Sequence, residues 1–374
     1  MKINYRQMSI LLFMSFISLK FLVLPSLMYT QAGNMSWFVA FVLMIIDGLY
    51  ALMIVGIMQK NKSTSIFDFM RQTLGPVLSK IITAVLMIRF AIVISNISKG
   101  MEFFVIENFY TELNWFIFVM PLVVLVGFMA YKGIRNIARV TELLFIPVII
   151  GCLYIALKSI INVDILSFLP FFKDGFMPIV NAGYEYICWF GSSTFILLLF
   201  GRVDFKKCKK RNLFFAIIGG ILLTMLIYFV FYGLFDTTSP THNFAISDIS
   251  QFSTERISID ELSWLIVALW VVAQAVQLAM YGYCMAECVK ELFNIKSEAL
   301  PIIVVDLYIF GWSYIGEKTI ELEAFFFTDF VQITMLITQY LIPLIILLAH
   351  LVNQRKKKRL KNMEVKYEKV KNHI

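Results

Sequence analysis

A lysine and a proline interrupt the first long apolar stretch of this chain. The stretch ISLKFLVLPSLMYTQAG runs from Ile17 to Gly33 and carries Lys20 five residues before Pro25. A lysine near the middle of a membrane span costs roughly 2.5–3.5 kcal/mol on insertion scales, and a proline removes a hydrogen bond from a helix. A charge and a helix break at nearly the same depth indicate a place where a polar ligand or a counter-ion is held inside the membrane.

Two further charges lie at a similar depth. Asp47 is at the centre of the second apolar stretch, in MIIDGLYA, and Arg89 is in the third. With a rise of 1.5 Å per residue, Lys20, Asp47 and Arg89 fall within roughly 10 Å of one another in depth. An unpaired buried charge is costly, so we expect Asp47 to pair with Lys20, or else with Arg89. Two interpretations stay open, a stabilising ion pair and a charge-coupled gate. Second-rank candidates are Asn96, Glu185 and Asp306.

The elements that position these residues are membrane-spanning helices. Of the 374 residues, 60% are hydrophobic and only 16% are charged, whereas a soluble domain carries about a quarter charged residues. The apolar runs have the length that a bilayer core demands. The sequence predicts an all-α membrane protein, with residues 1–353 as one polytopic domain and 354–374 as a basic tail. Ten spans are expected, at 6–29, 36–59, 81–105, 115–131, 138–158, 175–200, 212–234, 261–286, 300–316 and 325–352.

Lysine and arginine mark one side of the membrane. They gather at the N-terminus, in the segments after the second, fourth, sixth and eighth spans, and in the tail, whereas the opposite segments hold few. Cytoplasmic loops carry the excess of positive charge, so we expect both termini in the cytoplasm. The net charge of +8 then reflects topology. It favours contact of the tail with the lipid bilayer and gives little support for nucleic-acid binding.

Ten spans divide into five plus five, and an odd number per half makes any internal repeat inverted. Transporters built in this way bind substrate where the first helix of each half is interrupted near the midplane. The sixth span meets this expectation, because WFGSS, from Trp189 to Ser193, lies near its middle. Glycine and serine are poor helix-interior residues. The alternative is that Gly191, Ser192 and Ser193 form a small-residue packing face.

Several stretches resemble a known group of transporters. SLKFLVLPSLMYTQAGNMSW is similar to the first span of the amino acid–polyamine–organocation (APC) permeases, whose motif is Gly-x-Gly-x-Leu-x-x-Pro. Within that superfamily, four features resemble the permease (B-type) subunit of spore germinant receptors. These are the trailing Pro25, Ala32, Gly33 and Trp37, KGIRNIARVTELLFIPVII from Lys132, NVDILSFLPFFKDGFMPI before span six, and ERISIDELSWLIVALWVV at span eight. The resemblance implies an inverted five-plus-five (LeuT-like) fold with discontinuous helices 1 and 6.

The chain also departs from those permeases. Ser18 and Lys20 stand where the permeases have two glycines, and Ser192 stands where many germination permeases have an acidic residue. The glycines leave backbone N–H groups free for a substrate carboxylate. A lysine there supplies an ammonium of its own, as an ion-pair donor or as a built-in substitute for a coupling cation. These departures put cation-coupled transport in question.

The resemblance implies a permease-like subunit of a spore germinant receptor that senses a small nutrient, an amino acid or similar. The implied partners are a larger membrane receptor subunit and an outer lipoprotein subunit, in the inner membrane of the spore. The alternatives are a stand-alone cation-coupled amino-acid permease and a ligand-opened ion channel. No constellation typical of an enzyme, a cofactor site or a metal site is evident. The expected ligand-binding residues flank the two breaks: Ser18, Lys20, Phe21, Leu22, Trp189, Phe190, Gly191, Ser192 and Ser193. The expected gating charges are Lys20, Asp47 and Arg89.

Overall fold

Long apolar helices make up almost all of the chain. The structure is a computed structural model that describes residues 2–61, 65–108, 115–173, 175–205, 210–254, 260–318 and 322–355. The predicted tail lies outside the described residues from position 356 onward. The α-helices, in chain order, are α1 Tyr5–Ile17, α2 Leu24–Ala32, α3 Ser36–Lys60, α4 Ile66–Leu74, α5 Pro76–Asn108, α6 Trp115–Lys132, α7 Ile134–Ser159, α8 Met177–Glu185, α9 Lys210–Phe235, α10 Ala245–Thr254, α11 Asp260–Leu292, α12 Ala299–Lys318, α13 Leu322–Phe325 and α14 Asp329–Leu336.

Within the described residues, eight helical stretches are long and apolar enough to cross a membrane. They are Leu24–Lys60, Pro76–Ile106, Trp115–Lys132, Ile134–Asn162, Arg211–Thr241, Ala268–Leu292, Ala299–Gly316 and Asp329–Arg355. The chain is therefore a multi-pass membrane protein, and the predicted all-α membrane fold is confirmed. The inverted repeat itself stays a prediction.

The two predicted spans without a long continuous helix of their own are the first and the sixth. The first consists of α1, a 3₁₀ turn at Leu19–Phe21, and α2, which begins with Pro25 in its first turn. The sixth consists of α8, a 3₁₀ turn at Ile187–Trp189, and a second 3₁₀ segment at Ser192–Leu199. Both spans are broken where the sequence predicted the breaks. We call these two places the helix 1 break and the helix 6 break.

Helices α5 and α11 support the broken spans. Helix α11 packs against α5, α6, α7 and α12, while α1 packs between α7 and α9.

The last span continues from α14 through a π turn at Ile337–Leu341 to Arg355. Such a turn rotates the side chains that follow it and often occurs at functional sites. Two residues of this π turn contact the region of the sixth span. Thr338 accepts from Arg89, and Gln339 donates to the Phe190 carbonyl.

The ends of the two broken spans are joined at the side rich in basic residues. A two-residue parallel pairing connects β1, Ile3–Asn4, with β2, Val203–Asp204. Arg202 donates to Glu287 at 2.6 Å, and Arg6 pairs with Glu142 of α7. The strands were not predicted from the sequence, because two residues give no readable alternation. Together these contacts join the two broken spans to each other and to α7 and α11 on the basic side.

Candidate functional site at the helix breaks

The helix 6 break leaves a set of backbone groups outside any helix. Phe190 is extended, with φ −107° and ψ −169°, and Gly191 is left-handed, with φ 74° and ψ 28°. Glycine adopts that conformation without the penalty that a Cβ brings. The Gly191 carbonyl accepts from the Thr194 N–H at 3.1 Å, whereas the N–H groups of Ser192 and Ser193 and the Phe190 carbonyl need partners from elsewhere in the bundle.

Asp47 of α3 takes up the two N–H groups. Its Oδ2 accepts from the Ser192 backbone N–H at 2.7 Å. Its Oδ1 accepts from the Ser193 backbone N–H at 3.0 Å and from the Ser193 hydroxyl at 2.5 Å. Asp47 is 1% exposed. A carboxylate at the N-terminus of a helical segment is stabilised by the local dipole and by charge-assisted hydrogen bonds. The break therefore holds an anion supplied by the chain itself.

Lys20 reaches the same place from the helix 1 break. Its Nζ donates to Ser192 Oγ at 3.0 Å and lies 5.2 Å from the Phe190 ring centroid. The expected direct ion pair with Asp47 is not among the salt bridges of the described residues. Ser192 stands between the two charges, because the N–H groups of the broken helix have taken the carboxylate. Lys20 and Asp47 thus meet through a shared serine.

Arg89 of α5 takes up the carbonyls of the helix 6 break. Its Nη2 donates to the Gly191 carbonyl at 2.7 Å and to the Phe190 carbonyl at 3.3 Å. Its Nη1 lies 2.9 Å from Met335 Sδ and 3.4 Å from Thr338 Oγ1. Arg89 is 1% exposed. The sequence predicted Arg89 near Asp47 in depth, but gave no sign that it binds backbone oxygens. We call Lys20, Asp47, Arg89, Ser192 and Ser193 the central network.

Gln339 completes the helix 6 break and was missed by the sequence analysis. Its Nε2 donates to the carbonyls of Ile187, at 3.0 Å, and Phe190, at 2.9 Å. A glutamine inside an otherwise apolar span is costly unless it is bonded, and that cost was the available signal.

The helix 1 break is satisfied in the same way by neighbouring helices. Gln274 of α11 donates to the Ser18 carbonyl at 2.8 Å and accepts from the Ser18 hydroxyl at 2.6 Å. The Leu22 carbonyl accepts from the Ala245 N–H at 3.2 Å, and the Pro25 carbonyl accepts from Tyr232 at 2.8 Å. In transporters with interrupted helices, such groups are available to bind a substrate. In the structure the chain bonds them itself.

A cavity of about 300 Å³ lies next to the two breaks. Its lining includes Leu22 and Trp189 from the expected ligand-binding set, and Asn96, Lys99 and Glu102 of α5. We call it the Asn96 cavity. The remaining expected residues lie in or around the central network: Ser18 on Gln274, Phe21 fully buried, Phe190 beside Lys20, and Gly191, Ser192 and Ser193 at the turn. Of the nine residues, Lys20, Phe190, Gly191, Ser192 and Ser193 are joined by contacts, Leu22 and Trp189 line the cavity, and Ser18 and Phe21 are buried at the helix 1 break.

The other second-rank candidates lie elsewhere. The Asp306 carboxylate packs on Gly127 of α6, where an added Cβ would be 2.0 Å from Oδ2. The Glu185 carbonyl accepts from Gln332 at 2.6 Å. Among the residues that the structure describes, no group of three or more His, Cys, Asp or Glu side chains is placed to hold a metal ion.

A solved transporter shares this fold. A mutant of the manganese transporter of Eremococcus coleocola aligns with a TM-score of 0.51 and 13% sequence identity, over 90% of this chain and 75% of that chain. At that identity the likeness concerns the fold alone.

Sequence comparisons identify the family. Spore germination protein KB of Bacillus subtilis (strain 168) is 22% identical over 308 residues, which cover 79% of this chain and 80% of that protein. The family model described as spore germination protein, the spore permease model, matches residues 2–319. That match covers both breaks, Asp47 and Arg89. It also covers every residue that lines the Asn96 cavity except Phe326 and Phe327. The chain therefore belongs to the spore germination protein family of permeases.

Proposed function

We propose that this protein is the permease-like subunit of a spore germinant receptor, and that it senses a small nutrient, an amino acid or similar, beside the two helix breaks. Family membership supports the biological role, and both the family and the fold favour a non-enzymatic protein. The observation that carries the proposal is that charged side chains of the protein itself bind the backbone groups of the helix 6 break. Asp47 accepts three hydrogen bonds there, and Lys20 and Arg89 bind the same turn.

This arrangement favours sensing over uptake. In transporters with broken helices, the exposed N–H groups hold a substrate anion and the exposed carbonyls hold a coupling cation. Here a carboxylate of the chain occupies the first position, and a guanidinium occupies the second. Uptake that follows a Na⁺ or proton gradient needs a cation site whose occupancy changes in each cycle. A fixed guanidinium at those carbonyls supports a subunit that changes shape when the ligand binds and does not carry the ligand across the membrane.

The expected site residues then take two roles in the proposal. Leu22 and Trp189 contact the ligand, since both line the Asn96 cavity. Ser18, Phe21, Phe190, Gly191, Ser192 and Ser193 shape the breaks around it, and Lys20, Asp47 and Arg89 act as the gating charges. Leu22 lies two residues after Lys20, and Trp189 lies two residues before Gly191. A ligand that displaces either residue therefore displaces the backbone next to the central network. A short path of that kind couples occupancy of the cavity to the central network.

The proposal includes an assembly and a location. A larger membrane receptor subunit and an outer lipoprotein subunit are the partners that go with this role, in the inner membrane of the spore. Both termini are placed in the cytoplasm by the distribution of Lys and Arg. The Asn96 cavity would then face the outer side, because Asn96 follows Arg89 by seven residues, or about 10 Å, along α5 away from the basic side.

Germination of mutant spores tests the proposal. Spores that lack this gene should lose their response to at least one nutrient, measured as the fall in optical density after a panel of single amino acids and sugars is added. The wild-type gene should restore the response, whereas Gly191→Leu should not, because its side chain would displace Arg89 and Gln339. Gly75→Leu is the matched control, since Gly75 also has positive φ but open space around it.

Transport measurements test the alternative. The purified protein in liposomes should not concentrate any radiolabelled amino acid of the panel under a Na⁺ or proton gradient. Gradient-driven accumulation that disappears in Lys20→Met would overturn the receptor proposal and establish a stand-alone permease. A normal response of the deletion spores to every nutrient would overturn it as well.

A further inference from the structure

A second cavity, of about 500 Å³, lies on the side of the bundle that is rich in basic residues. It is placed where α6 ends, where α7 and α12 begin, and against the last turns of α11. None of the expected ligand-binding residues at the helix breaks lines it. Its charged lining residues are Lys132, Arg135, Arg202, Glu287, Lys290 and Glu298. We call it the basic cavity.

The cations of the basic cavity outnumber its carboxylates by four to two. Both carboxylates already pair with cations of the same cavity, Arg202 and Lys290. The other two cations, Lys132 and Arg135, are exposed and make no salt bridge within the described part of the chain. The cavity therefore offers two cations without a counter-charge, at a place that an anion can reach.

The start of α7 adds to this positive potential. Gly133 is the N-cap of this helix of 26 residues and brings no side chain to cap its first turn. Both Gly133 and Ile134 line the cavity. The first turn of a helix has free N–H groups and a partial positive charge, so its field adds to that of the four cations.

An apolar stripe of α6 leads from the basic cavity toward the middle of the membrane. Tyr131 lines the cavity, and Phe128 and Val124 lie one and two turns earlier on the same face of the helix. All three side chains are more than half exposed, at 58%, 59% and 65%. On a membrane span, an exposed apolar face contacts lipid chains. Cations next to such a stripe match a phospholipid, whereas a soluble anion gains nothing from the stripe.

Arg202 connects the basic cavity to the broken spans. Its backbone carbonyl accepts from the Ile3 N–H at 2.8 Å, next to the pairing of β1 with β2. Its guanidinium lies 5.3 Å from the Tyr283 ring centroid of α11. An anion in the cavity would contact α6, α7 and the residue that precedes β2 together. Its binding should therefore stabilise the folded protein.

We propose that the basic cavity binds the phosphate group of an anionic phospholipid. Lys132 and Arg135 donate to the phosphate oxygens, and the acyl chains lie along the stripe of α6. Basic pockets between membrane helices recognise anionic headgroups in this way. The site is separate from the helix breaks and from the Asn96 cavity, so the inference does not depend on the proposed sensing function.

Lipid binding to the purified full-length protein in detergent tests the inference. The probes are dioleoyl phosphatidylglycerol, dioleoyl phosphatidylcholine and glycerol phosphate, followed by native mass spectrometry and by the melting temperature. We expect phosphatidylglycerol to bind and to raise the melting temperature. The other two should bind at least about tenfold more weakly, because phosphatidylcholine has no net charge and glycerol phosphate has no acyl chains.

A pair of double variants locates the site. Lys132→Gln with Arg135→Gln should weaken phosphatidylglycerol binding by about 10–30-fold. The melting temperature without lipid should stay the same, since both side chains are exposed and make no salt bridge. Lys60→Gln with Lys80→Gln is the matched control. It removes two exposed cations of the basic side that neither line the cavity nor form a salt bridge among the described residues, and it should bind like the wild type.

Three results would overturn the inference. Equal binding of the two phospholipids would show that the headgroup charge is not recognised, and equal losses in the two double variants would show general attraction to the basic side. Binding of glycerol phosphate as tight as that of the lipid would show a site for a soluble anion. The nutrient response of the deletion spores enters none of these outcomes, so the proposed function is tested separately.

Discussion

The central network and the Asn96 cavity both contain buried charges, but they differ in how completely those charges are bonded. In the network, Asp47 accepts three hydrogen bonds and Arg89 binds two carbonyls of one turn. In the cavity, Lys99 and Glu102 lie 3.6 Å apart beside an amide donor that has no partner among the described residues. In the network only the buried Arg89 Nε has no partner among the described residues, and a network bonded to this extent fixes a conformation. The Lys99 ammonium, by contrast, is 3.6 Å from Glu102 and keeps donors that are not used in a short hydrogen bond.

This difference also assigns a direction to the proposed signal. Leu22 and Trp189, which line the cavity and contact the ligand in the proposed function, lie two residues after Lys20 and three residues before Ser192. The network has one member on the first broken span, Lys20, and two on the sixth, Ser192 and Ser193. We infer that the network resists change until occupancy of the cavity shifts one of these members.

The largest effect should come from removing the anion of the central network. Asp47→Leu leaves Lys20 and Arg89 without a counter-charge and two N–H groups unbonded, and should lower the free energy of unfolding by about 3–5 kcal/mol. Lys20→Met should cost only about 1 kcal/mol, because Arg89 still balances Asp47. Reversible unfolding in detergent, followed by tryptophan fluorescence, measures both.

The double variant sharpens this prediction. Lys20→Met with Asp47→Leu should fall between the two single variants, since Arg89 and the two serine N–H groups remain uncompensated. Equal losses in the two single variants would contradict the structure and would favour a direct Lys20–Asp47 pair.

The next largest effect should come from the turn that joins the network. Gly191 and Gly75 both have positive φ, +74° and +89°, so alanine at either costs about 1–2 kcal/mol of backbone strain. At Gly191 an added Cβ would also lie 2.2 Å from Gln339 Cγ and 2.6 Å from Arg89 Nη2, whereas Gly75 has open space. Gly191→Ala should therefore lose about 1–3 kcal/mol more than Gly75→Ala. Equal losses would mean that the contacts at Gly191 relax freely.

The smallest effect should distinguish two glutamines of α11. Gln274 bonds the Ser18 carbonyl and hydroxyl, so Gln274→Leu leaves the helix 1 break unsatisfied and should cost about 1–3 kcal/mol. Gln277 is equally buried, but neither its Nε2 nor its Oε1 has a partner among the described residues. Gln277→Leu should be neutral or stabilising, measured by thermal unfolding of the two variants side by side. A loss at Gln277 as large as at Gln274 would indicate a bonded partner that the structure lacks.

The sequence determined the class of fold and the depth of the unusual residues. Run length and composition predict membrane helices, because a bilayer admits only stretches of that length and polarity. Pro25 and the Gly191–Ser193 triplet marked the two breaks because proline and glycine act on the backbone of their own segment. A fixed rise per residue was sufficient to bring Lys20, Asp47 and Arg89 to one level.

The tertiary structure alone decided which groups bond to which. Depth along a helix does not give its rotation or its neighbour, so Asp47 was expected to pair with Lys20, or else with Arg89. It bonds instead the N–H groups of Ser192 and Ser193, 145 and 146 residues away. Gln339 and Gln274 were missed for the same reason, since their partners lie 149 and 256 residues away in the chain. The Asn96 cavity exists only where α5 meets both breaks and the segment before α14. Contacts between segments distant in sequence form only when the helices pack, and that packing set the chemistry of this site.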